Sequence, residues 1–478
     1  MLTIYLDHNI INHLKLNPKG DLANKLEELK PIAMFPYSRA ILSDMCNGFD
    51  KMPEDKKHHV KDELDLISSL SDNYYIDEKQ NVQFVRWYIN DVKNMFKEEL
   101  QLSRENLLDI MKLLEEPLGL DKELEEQNKS AINILKVTPC GFDFAQLNSI
   151  EGGQVLLEMF PNASKTGKMW DLMTDIIAWK DKLDDDPSSY LELRKFLTRE
   201  TKLVGKTLPG NANIIDELDK AFLSTSVKKK FSQFSEDTLK NSKREGQEIT
   251  LQDKFNNDFV MIDMAGYKAD PMKKGYSNFF NDCRHSFLGA HCDFFITEDA
   301  RTRDKANAVY KKHGINSISC SIKQFLDLMN SVKLQYDSVD IKNVIEEISK
   351  TEPVIVKEEN GCKLCTYYLK PKFLNYFNQS DHLINADGTW SWSFSHNPEN
   401  YMQFFAFKEL EMFVNRMHFI LGTDFRDRTI YSPTEENEKV KVRKWSGRKW
   451  ILGEEKIEIY FSLLEGDTFP TMVIKNVA

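Results

Sequence analysis

Four aspartates stand where their carboxylates can act together. Asp7 follows the short apolar run Leu2–Leu6, and Asp299 comes just after the run Cys292–Ile296 and the polar pair Thr297–Glu298. Asp44 falls on a helix expected after a second apolar run, Ile32–Phe35, with Ser38 as its N-cap and a stop near Gly48. Asp282 falls on another expected helix, whose cap is Ser277. In an open α/β sheet, sites form outside the carboxyl ends of the strands, and Asp7 and Asp299 are placed there by strand position alone. Clustered carboxylates raise one another's pKa unless a cation compensates, so this set calls for a hard divalent ion, Mg²⁺ or Mn²⁺. A metal so held can activate water and stabilise charge developing on a phosphodiester. Acids make up 75 of the 478 residues, so any one aspartate alone reads as surface charge; the combination carries the weight.

His285 lies three residues after Asp282, on the same helical face, where it can orient a phosphate or a water, or simply pack. Asp293 opens its strand and reads as a local cap or pair. Lys273 and Lys274 lie close in sequence to Asp282 and are candidates for phosphate contact, while Lys228–Lys230 reads as a solvated helix end. The stretch Lys439–Trp450 interleaves Arg443 and Arg448 with Trp445 and Trp450 around Ser446–Gly447, read as a hairpin tip. Basic and aromatic side chains in alternation suit a single-stranded nucleic-acid groove; the alternative is a solvated hairpin with its tryptophans packed inward. Cys362-x-x-Cys365 lacks a second ligand pair for zinc; Cys283, His285, His291 and Cys292 offer soft ligands in number, but Cys292 reads as strand core, which discounts that cluster as a metal site.

The elements that must position these groups fall into blocks. The chain carries 75 acidic and 64 basic residues, a formal net charge of −11, and 41% hydrophobic residues, which excludes a disordered chain. At ~150 residues per domain the length suggests about three domains. No run approaches the ~18 apolar residues a spanning helix needs, no signal peptide is visible, and seven cysteines without framework spacing point to a reduced, cytoplasmic protein. The acidic balance argues against coating nucleic acid through bulk charge, but not against an enzyme with a local basic groove. Residues 1–50 and 251–335 alternate strands and helices, which implies a mostly parallel sheet. Residues 51–250 show helical spacing, as in Met169, Leu172, Met173 and Ile176 or Leu107, Ile110, Met111 and Leu114, with no convincing strand. Residues 350–478 read as a separate α+β domain, with short aromatic strands around a helix capped at Asn397–Pro398 and stopped at Gly422.

The segments TIYLDHNII, YSRAILSDM, NDCRHSFLGAHCDFFITED and RTRDKANAVY resemble the four blocks of a PIN-like domain. The resemblance covers about a quarter of the chain. It implies a three-layer α/β/α core with a parallel sheet, here interrupted by an all-helical insertion, and a Mg²⁺- or Mn²⁺-dependent nuclease, most often an endoribonuclease. Position by position, it makes Asp7, Asp44 and Asp282 the first three acids and Asp299, or else Glu298, the fourth. Asn9 and Thr297 then stand beside the metal as polar support. The chain departs from the family in using Asp44 where Glu is commoner, in its two adjacent acids, and in the size of the insertion. The resemblance implies RNA as substrate, with DNA second and no membrane. The architecture suggests a regulated toxin or antiviral effector with a protein partner, an activating ligand or homo-oligomerisation as its control. The alternative is an inactive PIN-like scaffold that binds nucleic acid or a protein.

Overall fold

A computed structural model describes residues 2–30, 33–47, 49, 52–77, 86–104, 122–141, 143–145, 153–201, 213–225, 228–242, 248–271, 276–331, 345–346, 348–373, 377–395, 406–442, 444–452, 457–462 and 471–476. The expectations for Gly48, Lys273, Lys274, Asn397, Pro398, Arg443 and the helix through Leu107, Ile110, Met111 and Leu114 lie outside the described residues.

The first half runs β1 (Leu2–Leu6), α1 (His8–Leu16), α2 (Asp21–Leu29), β2 (Ala33–Met34), β3 (Tyr37–Ser38) and α3 (Arg39–Cys46). A middle stretch follows with α4 (His58–Ser71), β4 (Tyr74–Asp77), β5 (Arg86–Ile89), α5 (Val92–Arg104), α6 (Lys122–Val137), α7 (Gly153–Met159), α8 (Ala163–Thr166), α9 (Met169–Asp185), α10 (Ser188–Thr201), α11 (Ile214–Leu223) and α12 (Phe231–Ser242). The second half supplies α13 (Leu251–Met264), α14 (Tyr276–Gly289), β6 (Phe294–Ile296), α15 (Ala300–His313), β7 (Ile318–Cys320) and α16 (Ile322–Ser331). The chain is thus mixed α/β, and its two halves meet in one small parallel sheet of order β2-β1-β6-β7.

Register fixes that meeting. Leu6 pairs with Ile296, and Ile296 with Cys320, so three strands end level with one another. The next residues continue the ladder, the Asp7 amide donating to the Ile296 carbonyl at 3.1 Å and the Thr297 amide to the Cys320 carbonyl at 3.0 Å. Short apolar strands of this kind, buried on both faces, need helices on each side. Ile4, Tyr5, Phe295 and Ile296 are fully buried, and they join one core with Phe255, Phe259, Phe279 and Phe287. At Gly289 a Cβ would lie 2.7 Å from the Phe295 Cβ, so the close crossing of α14 over β6 requires glycine.

Several boundaries move. β6 starts at Phe294, because Cys292 still belongs to the turn after α14 and Asp293 receives the Thr3 amide and hydroxyl at 2.8 and 2.9 Å. Ser277 lies inside α14, not at its cap. The stretch 51–250 is not all-helical: β4 and β5 join β3 in a three-stranded sheet, with β3 and β4 parallel and β5 antiparallel. Ser38 does cap α3 through the Ile41 amide, and Ser321 with Gln324 forms the reciprocal pair at the start of α16.

Beyond residue 350 lie β8 (Ile355–Glu359), β9 (Cys362–Phe373), β10 (Phe377–Ile384), β11 (Trp390–Ser395), α17 (Ala406–Leu421), α18 (Pro433–Lys441), β12 (Arg448–Leu452), β13 (Ile457–Ser462) and β14 (Thr471–Asn476). The strands make a seven-stranded antiparallel sheet of order β12-β13-β14-β11-β10-β9-β8, with its own core around Trp392, Phe394, Phe413 and Phe461. All seven cysteines are free; Cys362 and Cys365 sit on β9 three apart, hence on opposite faces, which excludes a shared metal. Among the described residues no helix is long and apolar enough to cross a membrane.

One buried ion network ties the middle stretch to the second half. Asp263 on α13, fully buried, accepts from Tyr190 (2.9 Å) and Arg194 (3.0 Å) on α10 and from Lys305 (2.9 Å) on α15. The Lys305 ammonium also lies 4.8 Å from the Phe259 ring centre and 4.7 Å from that of Phe279. Removing one member of such a group strands the opposite charge in an apolar interior. Asp263→Ala is therefore expected to cost about 3–5 kcal/mol, against about 1 kcal/mol for Tyr190→Phe, which deletes one neutral donor. Urea unfolding compares the two, and equal losses would refute the network's role.

Candidate metal centre

The site is assembled from the carboxyl ends of β1 and β6 and from the facing sides of α3 and α14. Asp7 occupies the N-cap position of α1, yet its side chain makes no capping bond. Its Oδ2 instead accepts from the Thr297 hydroxyl at 2.6 Å and the Asn9 amide at 2.5 Å. Asn9 also donates to Thr297 Oγ1 at 3.2 Å, so one carboxylate oxygen is held by two donors that brace each other. The other oxygen, Oδ1, lies 3.7 Å from His285 Nε2.

Asp44 is held the same way. Asn281, one turn before His285 on α14, donates to Asp44 Oδ1 at 2.6 Å and to the Ala40 carbonyl at 2.9 Å. Asp44 Oδ2 lies 3.1 Å from His285 Nε2. One ligand atom each from Asp7, Asp44 and His285 lies within 4.8 Å of the other two. Behind the imidazole, His285 Nδ1 is 2.8 Å from the Tyr5 hydroxyl, which is 2.5 Å from Ser38 Oγ. Tyr5 and His285 are buried, and Ser38 completely so.

Burial alone would lower the His285 pKa, but the Asp7 charge and the Asp44 hydrogen bond and charge, with Asp282, hold it above 6.5. For Asp44 burial acts upward; the His285 hydrogen bond and charge, with His8 and Asn281, outweigh it and hold the group below 3.8. Asp282 goes the other way. Burial pushes its carboxyl well above 3.8, Asp7 adds to this, His285 offsets part, and Asp299 and Asp44 raise it further. Asp282 thus lies in the field of all three other acids.

The two adjacent acids separate by partner. Asp299 Oδ1 caps α15, accepting from the Arg301 and Thr302 amides at 2.7 and 3.0 Å, and its charge reaches Asp282. Glu298 is exposed and accepts from the Ile322 amide at 2.7 Å, at the start of α16. A groove of about 560 Å³ lined by Lys268, Glu298, Asp299, Ala300 and Arg301 opens beside them.

The expected basic and aromatic face near residue 445 does not form. Trp445, Arg448 and Trp450 are buried, at 6%, 3% and 2% exposure. Trp445 Nε1 donates to Glu436 at 2.8 Å, Arg448 pairs with the same carboxylate, and Trp450 Nε1 donates to the Gly422 carbonyl at 3.2 Å. Residues 433–441 form α18 rather than a hairpin arm, so these side chains serve the C-terminal core and offer no stacking surface. Three contributors were not singled out from the sequence as part of the site. Tyr5 stands two residues before Asp7, on the same side of the strand, and Asn281 stands one turn from His285; Ser38 was read only as a cap.

The chain matches no protein-family model, no curated protein and no solved structure.

Asp282 gives a measurable consequence. Its folded carboxyl keeps a proton that the unfolded chain releases, so in metal-free protein stability falls as pH rises above 3.8 toward the raised folded value. Asp282→Asn removes that penalty. In chelator-treated protein the variant should melt above wild type at about pH 7.5, the gap closing as pH falls toward about 4. A variant that melts lower at both ends would contradict the assigned direction.

Proposed function

We propose that this chain is a metal-dependent phosphodiester hydrolase of PIN-like design, acting on RNA as an endonuclease, with DNA as the second choice. The observation that carries the reading is the convergence of Asp7 and Asp44, with Asp282 and Asp299 in the same field, at the level ends of adjacent parallel strands. The four carboxylates by themselves would suit Mg²⁺ or Mn²⁺, and a divalent ion there would supply an activated water and neutralise charge developing on the phosphate. Thr297 and Asn9 aim the Asp7 carboxylate, and Asn281 aims that of Asp44. Arg301 and Lys268 line the groove beside Asp299 and, on this reading, would meet a backbone phosphate there. Cleavage on this reading leaves a 5′-phosphate and a 3′-hydroxyl, as the PIN-like resemblance implies.

A second reading is a PIN-like scaffold without turnover. The engagement of Asp44 by both Asn281 and His285 favours it, since a carboxylate already held twice gains less from a metal. The proposed setting for either is a cytoplasmic effector, toxin or defence protein, whose activity a partner, ligand or self-association regulates.

Cleavage of end-labelled single-stranded RNA in Mn²⁺ decides between them. Asp7→Asn should lower the rate on the order of 10²-fold or more. Equal cleavage by wild type and variant would remove the hydrolase reading, and no cleavage by either would favour the scaffold.

A further inference from the structure

We infer that the metal held here is bound by one nitrogen and two oxygens, His285 Nε2, Asp7 Oδ1 and Asp44 Oδ2, and is a first-row transition-metal dication in preference to Mg²⁺ or Ca²⁺. The inference deepens the proposed use of this site and replaces the all-carboxylate set expected from the sequence.

Three observations carry it. Each carboxylate has one oxygen occupied by protein donors, Oδ2 of Asp7 by Asn9 and Thr297 and Oδ1 of Asp44 by Asn281, while its other oxygen faces the same imidazole nitrogen. Supporting bonds of this kind orient metal ligands and fix which atom is presented. The second observation is separation. Adjacent ligands of an octahedral ion at ~2.1 Å lie about 3 Å apart, and Nε2 stands 3.1 Å from Asp44 Oδ2 and 3.7 Å from Asp7 Oδ1. The third is the far side of the ring. Metallated at Nε2, His285 carries its proton on Nδ1 and donates to the Tyr5 hydroxyl at 2.8 Å, which passes its own proton toward Ser38 at 2.5 Å. Metal-bound histidines show this outer bond to a fixed acceptor.

Imidazole suits Zn²⁺, Fe²⁺ and Ni²⁺, tolerates Mn²⁺, and is a poor ligand for Mg²⁺ and Ca²⁺, which prefer oxygen. Asp282 and Asp299 then lie outside the triad and act on it through their charge. Tyr5 is a positioning residue, acting through His285 and Ser38.

The test uses the full chain, chelated and reloaded with Mn²⁺ as a paramagnetic probe. Pulsed electron paramagnetic resonance should show a directly coordinated ¹⁴N, and Mg²⁺ should compete for the site only at on the order of 10²-fold excess or more. His285→Gln should lose the nitrogen coupling and weaken Mn²⁺ binding on the order of 10- to 100-fold; Tyr5→Phe should weaken binding on the order of 10-fold yet keep the coupling. Bound Mn²⁺ without nitrogen coupling in wild type, displacement by equimolar Mg²⁺, or no Mn²⁺ binding would overturn the inference. None of these readings needs turnover, so an inactive protein with nitrogen-ligated Mn²⁺ would sink the hydrolase reading and leave the metal site standing.

Discussion

A buried imidazole between two carboxylates and a phenol sets the arrangement of everything near it. His285 touches Asp44 and Tyr5 and faces Asp7, and these four residues lie on or immediately after α14, α3 and β1, elements separated by up to 280 positions in the chain. A group so placed cannot tolerate small shifts. In a low-dielectric interior each unmatched charge or donor is expensive, so helix pair and sheet must keep one relative position. The supporting donors are short side chains, Asn9 and Asn281 on helices and Thr297 immediately after β6, which lets the backbone set the carboxylate orientation.

The same logic ties the long middle stretch to the second half of the α/β core. Asp263 is matched by Arg194, Lys305 and Tyr190 from two other helices, and Asp258 on the same helix is matched by Lys312 (2.6 Å), His313 (2.7 Å) and Ser235 (2.6 Å). Such groups add little stability over an apolar packing but penalise wrong arrangements heavily. Both aspartates lie on α13, whose start is set by the reciprocal pair Thr250 and Asp253. That helix therefore acts as the register between the middle helices and the strand-bearing half, with α15 carrying the opposite charges.

Much of this was legible in the chain, and the boundary of legibility has a physical cause. Strand endings and helix caps are local properties, so Asp7 after β1 and Ser38 before α3 could be read directly. The partners of a side chain are not local. Glu298 and Asp299 differ only in which helix start each reaches, and nothing in Thr-Glu-Asp distinguishes them. Trp445, Arg448 and Trp450 look like an exposed alternating face, yet Glu436 from a neighbouring helix draws two of them inward. β4 was missed because its parallel partner β3 lies far back in the chain, and a strand of four residues has too little period to declare itself.

Charge decides how a chain of net −11 could meet a polyanion at this site. Asp7, Asp44, Asp282 and Asp299 crowd one end of the sheet, and the nearest cations in the groove are few, with Lys268 already 2.9 Å from Asp304. Without a metal, a backbone phosphate approaching Asp299 would meet like charge in a partly desolvated setting, where repulsion is strong. A divalent ion at the Asp7–Asp44–His285 triad would offset the charge of the two ligand carboxylates and relieve Asp282 as well. On the proposed reading, metal loading and polyanion binding would be thermodynamically coupled, each raising the affinity for the other by the same factor. On that reading, the acidity that argues against nucleic acid over the whole surface would make its binding at this point conditional on the ion.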